Sequence, residues 1–199
     1  MARIGILGGS FNPPHLAHLV CASEAAAQLG LDRVLLTPVA APPHKDVERD
    51  PGPRRRLLLC RLAIAGDERL DVCDLEVVRG GPSYTIDTLR ELHARTPEDD
   101  LTFIVGGDIA LGLPSWHEPE AVLGLARLAV AERSGAGRGD VAARLSERFP
   151  HAPPPVFFDM PRLDISSSQI RRRIAEGRPI RYLVPDPVGE QIARERLYR

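Results

Sequence analysis

Cysteine is scarce in this 199-residue chain: Cys21, Cys60 and Cys73 are odd in number, scattered and without C-x-x-C spacing. That excludes a disulfide framework and a zinc knuckle, and leaves three small core residues of a reduced compartment. No apolar run approaches the length that crosses a bilayer. Gly8-Gly9-Ser10 interrupts the first apolar stretch too early for a signal-peptide core, so the cytoplasm is the expected setting. Neither sign of charge is in excess: 26 Lys and Arg against 27 Asp and Glu give a formal net charge of −1. Such a balance carries no footprint for nucleic acid or a membrane surface. Internal repeats are lacking. Both common glycine loops are lacking too, since Gly5, Gly8 and Gly9 miss the GxGxxG spacing and no GxxxxGK[ST] follows.

What is present is concentrated at the start. Ile4 to Leu7 reads as a buried strand that ends in Gly8-Gly9, where the backbone can turn sharply and expose its N–H groups. Pro13 and Pro14 precede an Ala/Leu-rich segment, Leu16 to Leu29, that reads as a helix. Strand, glycine turn and helix N-terminus together form an anion site suited to phosphate. His15 and His18, three apart at the helix start, can project towards the same anion. As a metal half-site the pair lacks a third ligand nearby in sequence, so no metal ligands are assigned.

Further along, strand and helix patterns alternate, which argues an α/β fold: a Rossmann-like doubly wound parallel sheet with helices on both faces. Length and composition fit one domain over residues 1–199, with a small helical tail over 178–199. Arg33 to Thr37 reads as the second strand. It leads into the proline-rich Pro38-Val39-Ala40-Ala41-Pro42-Pro43-His44-Lys45, a loop at the carboxyl edge where open α/β sheets place ligands. Lys45 is well placed there to bring positive charge to a phosphate, the alternative being a lysine that is simply solvated. Pro53 to Ala65 looks helical, with a solvated face expected for at least one of Arg54, Arg55 and Arg56, and Leu70 to Val78 looks like a strand. Gly81-Pro82 breaks the chain, Ser83 can cap, and a helix runs to about Arg95. Ser83, Tyr84 and Thr85 then lie at a second helix start on the same edge.

Leu101 to Val105 is a buried strand that runs into Gly106-Gly107-Asp108, where Asp108 suits a diol, a metal or a plain helix cap. Trp116, the only tryptophan, sits in a Pro-bounded loop and can stack on a planar ring. Leu128 to Ala131 is another strand, Ser134 to Asp140 a Gly-rich mobile loop, and Val156 to Met160 the last strand. Ser166-x-x-Gln169 fits a capping box. Two further serines, Ser167 and Ser168, together with Arg171 one turn in, leave hydroxyls and a forked cation for an oxyanion.

These groups bind anions, yet no nucleophile stands beside a base and no carboxylates form an acid/base pair. Phosphoryl or nucleotidyl transfer fits, because it asks the protein mainly for alignment and charge neutralisation.

The stretches Gly8 to His18 and Ile165 to Arg171 resemble the adenylyltransferases of the HxGH nucleotidyltransferase superfamily. Pro42 to Lys45, Gly81 to Leu89, Gly106 to Asp108, Pro114 to Trp116 and Arg181 to Pro185 narrow the resemblance to the bacterial nicotinate-mononucleotide adenylyltransferase family, over nearly the whole chain. The resemblance implies transfer of AMP from ATP to nicotinate mononucleotide, with Mg2+, giving deamido-NAD and pyrophosphate. It implies that Gly8, Gly9, Ser10 and Phe11, with His15 and His18, hold the ATP phosphates. Ser166, Ser167, Ser168 and Arg171 would bind the departing phosphates, and Gly106 and Asp108 would face the adenosine. Lys45 would lie near the reacting phosphates, while Ser83, Tyr84, Thr85 and Trp116 would hold the mononucleotide. It implies small-molecule partners rather than nucleic acid or membrane, and leaves a homo-oligomer open. Three positions depart from the family pattern: Asn12 for the frequent Asp, Pro14 for Ile, and Ala17 for Gly. Asn12 puts any metal role at that position in doubt, and the Ala17 methyl can raise the KM for ATP. Nicotinamide mononucleotide or another phosphorylated acceptor remains open, as does a non-catalytic nucleotide-binding protein on the same fold. Retention of both histidines, Lys45 and Arg171 argues for catalysis.

Overall fold

The apolar runs become the strands of a parallel sheet in the computed structural model, which describes residues 1–42, 49–132 and 137–199. The strands are β1 (Arg3–Gly9), β2 (Arg33–Pro38), β3 (Leu70–Val72), β4 (Asp100–Gly106), β5 (Arg127–Glu132) and β6 (Val156–Asp159). Their order is β3-β2-β1-β4-β5-β6, every neighbouring pair parallel. The helices are α1 (Leu16–Leu29), α2 (Pro53–Ala63), α3 (Leu75–Arg79), α4 (Thr85–Arg95), α5 (Gly107–Gly112), α6 (Pro119–Leu125), α7 (Arg138–Arg148), α8 (Ser167–Ala175) and α9 (Asp186–Glu195).

Both faces of the sheet are covered, so its central strands carry apolar side chains on both faces. Successive side chains take opposite faces. Ile6, Phe103, Val105, Leu128 and Val130 pack with Ile86 and Leu89 of α4 and Val122 of α6. Leu7, Val34, Leu36, Ile104 and Ala129 pack with the alanines of α1. Gly5 lies on this second face, where a Cβ would stand 2.8 Å from Leu31 Cδ1 and 2.9 Å from Ile104 Cδ1. A third cluster joins Leu59 of α2, Ile170 of α8, and Val184, Val188, Ile192 and Tyr198 of the tail. The Leu183 carbonyl accepts the Leu16 N–H at 3.0 Å, so the tail is tied to the first turn of α1. No described helix is long and apolar enough to cross a membrane.

Two expectations are corrected. The strand read over Leu70 to Val78 stops at Val72, and Leu75–Arg79 forms α3. Leu75 and Glu76 are buried, whereas Val78 is 77% exposed, so the β-branched pair at 77–78 has no sheet to cover it. Of the loop read over Ser134 to Asp140, Arg138–Asp140 form the first turn of α7, and 134–136 lie outside the described residues.

Candidate active site

The strand order reverses direction between β1 and β4, whose connections leave to opposite sides of the sheet. Beyond their carboxyl ends lies a crevice, the place where such sheets bind ligands. Here it is a cavity of about 580 Å3. Gly8, Gly9 and His18 border it on one side; Ser83, Tyr84, Thr85 and Trp116 on another; Gly106 and Asp108 along the end of β4. Arg138, ion-paired with Glu132 and Asp159, closes the β5 end.

The turn after β1 is held by its own rings. Phe11 is buried and adopts φ 46, in the left-handed region unusual for a bulky side chain. Its ring lies 3.3 Å from where a Gly9 Cβ would stand and meets the His18 ring edge-on at 4.9 Å. The Asn12-Pro13 peptide is cis. His15 and His18 then start α1 with a reciprocal capping box, in which the His15 ring accepts from the His18 backbone N–H and His18 Nδ1 accepts from the His15 N–H at 3.2 Å. The two rings stack with centroids 3.7 Å apart. With Nδ1 accepting, a neutral His18 carries its proton on Nε2, and it is this imidazole that borders the cavity.

The start of α8 docks on the same turn. Ser166 Oγ accepts the Gln169 N–H at 3.2 Å, the cap expected there. Ser167 Oγ donates to the Pro13 carbonyl at 2.8 Å. Arg171, 8% exposed, donates through Nη1 to the Asn12 carbonyl at 2.9 Å and through Nη2 to Ser168 Oγ at 3.2 Å. Ser167 and part of the Arg171 fork therefore knit the turn after β1 to the start of α8, leaving Ser166 and Ser168 exposed. Ser10, Phe11, His15, Ser166 to Ser168 and Arg171 are not among the cavity's lining residues. They reach it through the His15–His18 stack and these hydrogen bonds. Ala17, whose methyl was expected to crowd a nucleotide, is fully buried and does not border the cavity.

At the opposite wall Trp116 stands edge-on to Phe103 at 5.7 Å, and Tyr84 meets the ring of His117 at 4.6 Å. Arg90 fixes this loop with a two-pronged bond to Glu118 at 2.9 and 2.7 Å. Ser83 does not cap α4: Tyr84 occupies that position without a side-chain bond. Instead Ser83 Oγ accepts the Ala40 N–H at 2.9 Å, and the Ser83 N–H donates to the Ala41 carbonyl at 2.9 Å. The hydroxyl is spent on the segment after β2 because that strand's extension runs alongside Pro82. Lys45 lies outside the described residues.

Two buried groups at this wall escaped the sequence reading. Glu76, 6% exposed and bordering the cavity, accepts from Thr88 Oγ1 at 2.8 Å through Oε1. Burial pushes its carboxyl above the usual range against the lowering pull of hydrogen bonds from Ser83 and Thr88. It sat inside the segment read as a strand, where a lone glutamate reads as solvated. Arg56 is fully buried although Arg54 and Arg55, as expected, are exposed. Helical spacing could have separated it, since Arg56, Leu59, Cys60 and Ala63 recur on the face that α2 buries. Among the described residues no group of three His, Cys, Asp or Glu could hold a metal ion.

A family described as Cytidylyltransferase-like matches residues 6–173. A probable nicotinate-nucleotide adenylyltransferase from Roseiflexus sp. (strain RS-1) is 45% identical over 199 residues, covering 100% of this chain and 98% of the relative. Its counterpart from Citrifermentans bemidjiense is 44% identical, with 98% of each chain covered. Among solved structures, Plasmodium falciparum nicotinic acid mononucleotide adenylyltransferase complexed with NaAD shares the fold with a TM-score of 0.81 at 19% identity, covering 100% of this chain and 98% of that one. With relatives this similar along their whole length, the chain belongs to the cytidylyltransferase-like family and, within it, to the nicotinate-nucleotide adenylyltransferases, which are nucleotidyltransferases.

Proposed function

We propose that the chain transfers AMP from ATP to nicotinate mononucleotide, giving deamido-NAD and pyrophosphate. The observation that carries this reading is one cavity with two unlike walls, the Gly8-Gly9 end of β1 with His18 facing a Trp116, Tyr84 and Thr85 wall. The first suits phosphates and the second a flat ring. An oxygen of the mononucleotide phosphate attacks the α-phosphorus of ATP; the new P–O bond forms as the bond to the bridging oxygen breaks, and pyrophosphate leaves. No general base is required, because a phosphate monoester with a second pKa of about 6 is already largely dianionic at neutral pH.

The protein's part is alignment and charge neutralisation. His18 Nε2–H and the N–H groups after β1 donate to the ATP phosphates. His15 backs the His18 ring, and Ser166, Ser168 and Arg171 receive the departing pyrophosphate, with Ser167 holding their helix to the turn. Lys45 adds charge at the reacting phosphates. Gly106 and Asp108 face the adenosine, Trp116 stacks on the pyridine, and the start of α4 at Thr85 donates to its carboxylate. Mg2+ would be brought in with ATP as its phosphate complex. Three buried cysteines outside any disulfide suit a cytoplasmic setting.

The deciding assay is pyrophosphate release from ATP and Mg2+ with nicotinate and nicotinamide mononucleotides side by side. A strong preference for the nicotinate compound is expected. Activity with the amide alone would overturn the carboxylate site, and silence with both would overturn the acceptor.

A further inference from the structure

We propose that Arg56 is a positioning residue for the transfer reaction, a buried guanidinium that sets the phosphate turn and the acceptor wall at a fixed separation. The inference rests on the function proposed above. Arg56 is fully buried and does not border the cavity, so it acts through what it holds. Its Nη1 donates to the Ser10 carbonyl at 2.9 Å and the Val39 carbonyl at 2.7 Å, its Nη2 to the Ala40 carbonyl at 3.0 Å, and its Nε to Asp50 Oδ1 at 2.9 Å. Ser10 belongs to the turn that follows β1; Val39 and Ala40 follow β2.

The far side of the same segment is tied to the acceptor wall. Ala40 N–H donates to Ser83 Oγ and Ala41 accepts from Ser83 N–H, both at 2.9 Å. The Val39 N–H in turn donates to the Gly9 carbonyl at 3.0 Å. A continuous chain of hydrogen bonds thus runs from the phosphate turn, through one guanidinium and three residues, to the start of α4.

Only arginine can serve here. Its planar fork carries five N–H donors at fixed angles, which lets one group span carbonyls of two separate turns and a carboxylate; a lysine ammonium offers three donors on a single atom. Buried carbonyls also need partners, so losing the fork leaves both turns free to relax to other separations. In-line transfer depends on the distance between the two phosphates, and a misplacement of about 1 Å can cost about 100-fold in rate.

The test compares the wild type with Arg56→Lys and Asp50→Asn, using steady-state kinetics in both substrates, thermal unfolding, and amide hydrogen exchange at residues 9–11 and 39–41. Arg56→Lys is expected to fold and to lose about 10- to 100-fold in kcat, with both KM values within about threefold. Asp50→Asn, which keeps all three carbonyl bonds and an Oδ1 that can still accept from Arg56 Nε, is expected to retain kcat within about threefold. Wild-type kcat in Arg56→Lys at a lowered Tm would reduce Arg56 to a structural role, and so would a loss confined to KM. A kcat loss in Asp50→Asn as large as in Arg56→Lys would move the effect from the carbonyls to the ion pair.

Hydrogen exchange judges the tie without any activity. In the wild type the amides of 9–11 and 39–41 should open together with one free energy, and in Arg56→Lys both should exchange faster. Independent opening in the wild type overturns the proposal even if Arg56→Lys fails to fold. A wild type inactive on every acceptor overturns the function reading alone.

Discussion

His18→Ala separates what one imidazole does for the fold from what it does for the reaction. The ring accepts the His15 N–H at 3.2 Å, stacks on His15 at 3.7 Å and receives the edge of Phe11 at 4.9 Å. A hydrogen bond of this kind contributes about 0.5–1.5 kcal/mol and each aromatic contact a comparable amount, so the truncation should cost about 2 kcal/mol of stability. For a chain of this size that is a fall in Tm of about 4–8 °C. Removing a preorganised donor from the transition state should cost about 100- to 1,000-fold in kcat. His18→Asn divides the two, because Asn Oδ1 can stand where Nδ1 stands and accept the His15 N–H, while nothing replaces Nε2. It should recover about half of the lost stability and little of the rate. Differential scanning fluorimetry and a coupled pyrophosphate assay read the two quantities independently. Turnover of His18→Ala within about threefold of the wild type, well short of the loss expected for one donor, would remove His18 from the mechanism. Full turnover in His18→Asn would show that the Nε2 edge does nothing.

Trp116→Ala should raise the KM for the mononucleotide by about tenfold or more, the loss of about 1–3 kcal/mol of ring stacking, and leave the KM for ATP nearly unchanged. Equal effects on both substrates would assign Trp116 to packing against Phe103. Gly5→Ala places a methyl within 3.0 Å of Leu31, Ile104 and Val34 and should destabilise by about 1–3 kcal/mol in urea unfolding; an unchanged midpoint would mean the sheet and α1 side yield without strain. Glu76 supplies a pH test. Its folded-state value lies above the ordinary 4.5 because burial disfavours the carboxylate. Its contribution to stability is therefore complete below that ordinary value and is lost as pH rises through the folded-state value. Glu76→Gln, which can still accept from Thr88, should gain Tm relative to the wild type as pH rises, and a difference that stays flat or runs the other way would refute the assignment.

Much of this was legible from local pattern. Alternating apolar runs and Ala-rich segments dictate a doubly wound parallel sheet, since both faces of each central strand must be buried. The Ser166 cap declares itself through its capping chemistry, whereas the turn read at Gly8-Gly9 comes later: both glycines pair within β1 and the chain turns beyond them at Phe11. α3 did not declare itself, because burial at Leu75 and Glu76 and exposure at Val78 depend on which neighbours arrive to cover them. Ser83 reads as a helix cap by its position, yet its hydroxyl serves Ala40, a residue 43 positions away.

The sequence by itself determined which groups are at hand: two glycines ending the first strand with two histidines soon after, a serine-capped helix with an arginine, and a lone tryptophan. Those are properties of residue type and short spacing. The tertiary structure alone decided which guanidiniums stay in water and which are buried against backbone carbonyls. Helical spacing sets Arg56 apart from Arg54 and Arg55 as the buried one, but only the fold brings it carbonyls from the ends of two other strands. Arg171 likewise spends part of its fork on the Asn12 carbonyl, 159 positions away. A guanidinium becomes a scaffold element only when folding removes it from water and brings backbone acceptors to it, and those acceptors are not written in the residues beside it.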